Sequence, residues 1–132
     1  MKTVLFVCVG DSGRSQMAEA FFNHLAGGKV QAFSAGTSPA SSVDPAVVEL
    51  MKEVGIDISD KHPKLLTMEM LGQADKVITM GCGVEKVCPA TFVKTEDWGL
   101  EDPKGKPLEA VRKIRDEIKL RVTKLVQGVA TK

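Results

Sequence analysis

The chain is poor in cysteine and histidine, with three of one and two of the other in 132 residues. A structural zinc site takes four ligands at short spacings. Neither His24 nor His62 lies near Cys82 and Cys88 in sequence, so metal ligation is disfavoured and no metal is expected. Three thiols in a reducing compartment cannot form a disulfide framework, which leaves redox or catalytic roles for them. A surplus of charge is missing too: Lys and Arg number 18, Asp and Glu 17. That balance argues against nucleic acid or an anionic membrane as the main partner. No apolar run approaches the length of a membrane span, and no secretory signal is visible. Lys2 and Thr3 lead directly into an apolar segment, so a cleaved leader would remove the residues of most interest. The expectation is a cytoplasmic protein. There are no repeats, low-complexity stretches or linkers, so residues 1–132 read as a single domain. A hydrophobic fraction of 43% suffices for an ordinary core.

What is present begins at Val4. Val4-Leu5-Phe6-Val7 reads as a buried strand, with Cys8 at its carboxyl end. Val9, Gly10, Asp11, Ser12 and Gly13 follow, then Arg14 and Ser15, and a helical pattern with Met17, Phe21 and Leu25 on one face. Strand, small-residue loop and helix together make an oxyanion cradle. Glycines let successive backbone N–H groups turn inward, and the helix N-terminus adds its positive end. Every neighbour in such a ring favours a thiolate over a thiol. Arg14 adds a planar fork suited to a tetrahedral oxyanion, and Ser15 can donate to the sulfur. A Cys-x5-Arg spacing alone would favour a buried strand cysteine. The flanking strand, glycines and helix favour an anion-binding nucleophile.

The remainder alternates in the same way. Lys29 to Ala35 reads as a second strand ending at Gly36, and Thr37 to Ser42 as a polar loop. Asp44-Pro45 starts a helix with an N-cap and a first-turn proline. Its apolar stripe is Val47, Val48, Met51 and Val54, and Gly55 ends it. Met68 to Ala74 is a short helix, Lys76 to Met80 a third strand, and Val93 to Trp98 an edge-like fourth. Leu108 to Gln127 is the clearest helix, with Arg112, Lys113, Arg115, Asp116, Glu117 and Lys119 on a face expected to be solvated. Strands separated by helices predict an α/β fold: one three-layer domain with a four-stranded, mostly parallel sheet. Ligands of such sheets bind beyond the strand carboxyl ends. Cys8 and Cys82 are both expected there, at the ends of strands one and three.

Cys82 sits between glycines, six residues before Cys88-Pro89. A pair of thiols that closes into a disulfide suits this segment better than half a zinc site. Asp102 precedes Pro103 in a Gly- and Pro-rich loop, where an acid is often only a turn residue. A thiolate attacking an oxyanion must, however, expel an oxygen that needs a proton. A carboxylic acid kept protonated near the anion would supply it.

These segments together resemble the thioredoxin-coupled arsenate reductases of the low-molecular-weight protein tyrosine phosphatase fold. The anchors are Cys8 to Glu19, Gly55-Ile56-Asp57-Ile58-Ser59, Met80-Gly81-Cys82-Gly83, Cys88-Pro89, Asp97 to Pro103 and Arg115-Asp116-Glu117-Ile118. The resemblance implies that Cys8 attacks arsenate while Asp102 protonates the departing oxygen. The amides of Val9, Gly10, Asp11, Ser12 and Gly13, with Arg14, hold the other oxygens. Cys82 then attacks the adduct, taking Cys8 as a disulfide and releasing arsenite. Cys88 attacks Cys82, and thioredoxin or a similar dithiol protein reduces the Cys82–Cys88 disulfide. No cofactor is implied. Phosphate and sulfate are expected as competing anions, and the chain is expected to be monomeric.

Two positions depart from the family pattern. The family usually has asparagine where Asp11 stands, and a carboxylate there would put negative charge beside the anion site. Some members bind potassium nearby through an acid whose position here is Lys64. The Lys64 ammonium is therefore expected to take the ion's place and neutralise Asp11. Two rivals share parts of the pattern. A phosphatase acting on phosphotyrosine would use Cys8, Arg14 and Asp102, but such enzymes carry tyrosines after the Asp-Pro pair. Here Lys104-Gly105-Lys106 follows, and the chain has no tyrosine. A three-thiol arsenite sensor would leave Arg14 and Asp102 without a role.

Overall fold

The structure is a computed structural model that describes residues 3–28, 30–80, 95–100, 103 and 105–130. Cys82, Cys88 and Asp102 lie outside the described residues. In chain order the elements are β1 (Thr3–Cys8), α1 (Arg14–Ala26), β2 (Gln31–Gly36), α2 (Pro45–Glu53), α3 (Met68–Gln73), β3 (Lys76–Thr79), β4 (Thr95–Asp97) and α4 (Leu108–Ala130). The strands lie in the order β2-β1-β3-β4, and each pairing is parallel. β1, β2 and β3 form its body, and the three-residue β4 joins at the β3 edge.

β1 is apolar throughout because both its faces are covered, as parallel sheets require. Val4, Phe6 and Cys8 point to the larger core with Met17, Phe21, Phe22, Ile114 and Ile118. Leu5 and Val7 point to the opposite core with Leu71 of α3. The period of two along the strand thus divides one segment between two layers of packing. Trp98 closes the larger core against Phe6, with ring centroids 5.7 Å apart.

Local signals set the helix boundaries. Gly27 takes the left-handed conformation (φ 62°) that ends α1. The Asp44 carboxylate accepts from Ala46 N–H at 3.0 Å and caps α2, with Pro45 in its first turn. The Thr67 hydroxyl does the same for α3, accepting from Met70 N–H at 3.1 Å. Among the described residues no helix is long and apolar enough to cross a membrane.

Three expectations are corrected. Leu25 has the right spacing for the α1 stripe but is 40% exposed. The last turn of α1 is peripheral, with Asn23, His24 and Leu25 all exposed, and Ala18 and Phe22 complete the buried face instead. Arg115 is not on a solvated face: it is 6% exposed, and its Nη1 donates to Leu50 O at 3.0 Å and to Glu53 at 2.9 Å. This guanidinium ties α4 to the end of α2, while its flexible stem packs in the seam. Finally, β3 ends at Thr79, one residue before the expected Met80, and the expected place of Cys82 at the end of this strand lies outside the described residues.

Candidate active site

The chain leaves β1 to make β2 on one side and returns to make β3 on the other. The crevice beyond β1 and β3 is therefore the topological switch point, where open parallel sheets bind ligands. Cys8 is the last residue of β1 and Arg14 the first of α1, so the five-residue loop between them lies at this crevice. Cys8, Val9, Gly10, Ser12, Gly13 and Arg14, with Ser38 and Ala40, line a cavity of about 210 Å³. That volume admits a tetrahedral oxyanion together with water.

The loop is held open by its neighbour. Thr37 N–H donates to Cys8 O at 3.2 Å, Ser38 to Val9 O at 2.8 Å, Ala40 to Gly10 O at 2.9 Å and Asp44 to Ser12 O at 2.9 Å. In a planar trans peptide the next N–H points opposite to the carbonyl. Tying four carbonyls to the 37–44 segment thus turns the N–H groups of Val9, Gly10, Asp11 and Gly13 the other way. Asp11 N–H follows this rule and donates to Cys8 Sγ at 3.1 Å. Nothing in the composition of Thr37 to Ser42 distinguishes it from an ordinary polar loop. Its part in shaping the site lies in backbone bonds, which side-chain reading does not find.

Gly36 is a second residue that the sequence marked only as a strand end. A Cβ there would meet Val9 O at 2.5 Å and Asp11 N at 3.0 Å, so the anion loop packs directly on this glycine. Gly13 has a similar constraint: a Cβ would meet Pro103 Cγ at 2.9 Å. The residue following Asp102 therefore packs against the anion loop. Arg14 is buried, and its Nη1 donates to Met80 O at 2.8 Å and to Leu100 O at 2.9 Å. These contacts fix the guanidinium between the ends of the segment that carries Cys82 and Cys88.

The Cys8 thiol group is 2% exposed and forms no disulfide. Its Sγ lies 2.9 Å from Ser15 Oγ, and Ser15 Oγ donates to Asp11 Oδ1 at 2.6 Å. Asp11 departs from expectation. It is fully buried, adopts φ 48° and turns its carboxylate under the loop, away from the cavity. An aspartate tolerates this left-handed conformation better than most residues.

The other Asp11 oxygen, Oδ2, accepts from Lys64 N–H at 2.8 Å and lies 3.8 Å from Lys64 Nζ. The ammonium is also 3.8 Å from Glu19 Oε2 and donates to Ser34 Oγ at 3.3 Å and His62 O at 3.4 Å. Lys64 is placed by its backbone: its carbonyl accepts from Gly36 N–H at 2.8 Å. Burial pushes both the Asp11 and the Glu19 carboxyl above the ordinary range, against the opposing pull of hydrogen bonds and of Lys64. Among the described residues no group of three His, Cys, Asp or Glu side chains could hold a metal ion.

A model of the low molecular weight phosphotyrosine protein phosphatase family matches residues 3–132. The chain belongs to that family. It is 44% identical over 120 residues to "Arsenate reductase 2" of Staphylococcus epidermidis, covering 89% of this chain and 91% of that one. Among solved structures, "an arsenate reductase in the phosphate binding state" superimposes with a TM-score of 0.87 at 41% identity, covering 97% of this chain and 98% of the other. A thioredoxin-dependent arsenate reductase of Corynebacterium glutamicum gives a TM-score of 0.84 at 41% identity. The match covers 99% of this chain and spans 63% of that longer protein.

Proposed function

We propose that this chain is a thioredoxin-coupled arsenate reductase working through three thiols. The observation that carries the reading is the placement of Cys8. Its sulfur lies at the head of α1 beside a cavity sized for an oxyanion, with Asp11 N–H and Ser15 Oγ on the sulfur and Arg14 in the wall. In this reading Cys8 attacks arsenic, and the loop amides and Arg14 hold the oxygens. Asp102 gives a proton to the oxygen that departs as water. The packing of Pro103 on Gly13 and the Arg14 bond to Leu100 support this role for Asp102.

Cys82 then attacks Cys8 Sγ. The Cys8–arsenic bond breaks, its electron pair stays on arsenic, and arsenite leaves. Two thiols have become one disulfide while arsenic has gained two electrons. Cys88 attacks Cys82, which frees Cys8, and an external dithiol protein reduces the Cys82–Cys88 disulfide. The Met80 carbonyl is bonded to Arg14, so the chain toward Cys82 departs from the site itself.

The rest of the reading follows from the same residues. The chain acts as a single cytoplasmic domain and a monomer, binds phosphate and sulfate as weaker competitors, and needs no cofactor. β4 counts as the fourth strand of a three-layer domain. A phosphatase reading shares Cys8, Arg14 and Asp102 and leaves Cys82 and Cys88 unused.

The test is to follow arsenite with thioredoxin as reductant, in the native chain and in Cys88→Ser. The native chain should cycle. Cys88→Ser should release one equivalent of arsenite and stall as a Cys8–Cys82 disulfide, visible by peptide mapping. A Cys88→Ser chain that cycles normally would falsify the three-thiol relay.

A further inference from the structure

Cys8, Ser15 and Asp11 form a chain of three buried groups with too few hydrogens for two anions. Ser15 carries one hydroxyl hydrogen. Its oxygen is 2.6 Å from Asp11 Oδ1 and 2.9 Å from Cys8 Sγ, and all three side chains are 2% exposed or less. The Ser15 hydroxyl therefore links the two acids directly. With Asp11 ionised, the Ser15 hydrogen lies on Oδ1, and the sulfur contact must be a thiol donating to Ser15 Oγ. With Cys8 ionised, the Ser15 hydrogen turns to sulfur, and the short contact to Oδ1 requires a protonated carboxyl donating to Ser15. Ionising both leaves the single Ser15 hydroxyl hydrogen between Cys8 Sγ and Asp11 Oδ1.

We propose that Cys8 and Asp11 share a single proton through the Ser15 hydroxyl, and that this proton rests on Asp11 when the Cys8 thiolate attacks. The transfer is balanced. The Sγ–H bond breaks as that proton passes to Ser15 Oγ, the Ser15 proton passes to Asp11 Oδ1, and the net charge of the site is unchanged. Ser15 then donates to the thiolate, alongside Asp11 N–H.

The surroundings pull on Asp11 in both directions: Lys64 and Ser34 favour its carboxylate, and burial favours its protonated form. Lys64 meets it with its backbone N–H and, at 3.8 Å, its ammonium, and Ser34 of β2 adds a hydroxyl. Glu19 of α1 is a competing carboxylate on the same ammonium and pushes the other way, with Lys61 near it. Burial is the larger effect and raises the carboxyl, which favours holding the proton there. Asp11 acts through Ser15 and is a positioning and proton-holding residue for the nucleophile.

The inference rests on Cys8 as the reactive thiol and is independent of which oxyanion it attacks. Its test therefore uses no oxyanion. The rate of Cys8 alkylation by iodoacetamide is measured from acid to alkaline pH by peptide mass spectrometry, which separates Cys8 from Cys82 and Cys88. Two acids sharing a site titrate in two macroscopic steps. The native chain should show a lower step to a plateau and an upper step to full rate. Asp11→Asn removes one acid and should reach full rate in one step. Ser15→Ala removes the bridge and should also lose the two-step form, whereas Ser15→Thr keeps the hydroxyl and should restore it. A single-step profile in the native chain overturns the proposal. So does a two-step profile that survives Asp11→Asn, or one that survives Ser15→Ala. If Asp11→Asn fails to fold, the native and Ser15 profiles still decide.

Discussion

Two clusters in this protein pair carboxylates with bases and reach opposite electrostatic states. Under the anion loop, Asp11 and Glu19 share the ammonium of Lys64, and burial holds both carboxyls above the ordinary range. At the seam of α2 and α4, Glu53 takes bonds from Arg112 and Arg115 and is lowered to about 2. The difference is geometric. Glu53 stays in contact with water and meets guanidinium forks at 2.8 to 3.1 Å, which favour its charged form. The loop carboxylates are cut off from water and meet an ammonium at 3.8 Å. Desolvation outweighs attraction in one place and loses in the other. A cluster with its charges satisfied serves cohesion; one whose carboxyls are raised by burial is available for chemistry.

The comparison breaks if substitutions of Cys8 or Asp102 act mainly on stability, or substitutions at the seam act on chemistry. The largest effect is expected from Cys8→Ser, which should abolish arsenate reduction in a single-turnover assay. A serine hydroxyl is hardly ionised near neutral pH, and the bridge to Asp11 does not make it a comparable nucleophile. Asp102→Asn should lower the single-turnover rate by roughly 10²–10⁴-fold while anion binding changes much less. A near-normal rate would remove Asp102 from the mechanism. Neither change should greatly shift the unfolding midpoint.

At the seam the pattern should invert. Arg115→Ala removes the buried bond to Leu50 O and should cost about 1.5–3 kcal/mol of stability, read by denaturant titration. Turnover below the new melting point should be unchanged. The acid dependence sharpens the contrast further. Glu53 is depressed from 4.5 to about 2, so its contribution is complete above its unfolded value and is lost as pH falls toward 2. Asp11 and Glu19 are raised, so the folded chain holds protons that the unfolded chain has released. Their effect is a loss of stability as pH rises above the ordinary carboxylate range. Melting temperature against pH should lose its acid-side rise in Glu53→Gln and its later fall in Asp11→Asn. The smallest effect concerns ions. Lys64 Nζ already stands among Asp11, Glu19, Ser34 and His62 O, so exchanging sodium for potassium at constant ionic strength should leave turnover unchanged. Saturable activation by potassium would contradict that role for Lys64.

Much of this was legible in the sequence because the site is built on local signals. Cys8 ends an apolar run, Gly10 and Gly13 loosen the chain, and a helical period begins at once, so strand, loop and helix follow from adjacent residues. The cap at Asp44 and the stop at Gly27 are likewise local. Position 64 was readable only through resemblance, yet Lys64 does meet Asp11. Long-range geometry was not legible. The 37–44 segment holds the loop carbonyls by backbone bonds, and Gly36 is required by a chain that returns across it. The direction of the Asp11 carboxylate depends on a left-handed φ that residue type permits without imposing. Arg115 read as a surface residue because its helix face is charged, whereas the α2 terminus beneath it supplies a carbonyl and a carboxylate.

The central claim is that three thiols pass two electrons to arsenate and carry the oxidation away from Cys8. Reduced protein mixed with arsenate and no other reductant tests it most directly, by counting free thiols and arsenite. The account predicts that each chain loses two of its three thiols, yields one arsenite, and keeps Cys8 free with Cys82 and Cys88 joined. Arsenate left intact with all three thiols free, or thiols consumed only when arsenite is added, would contradict it.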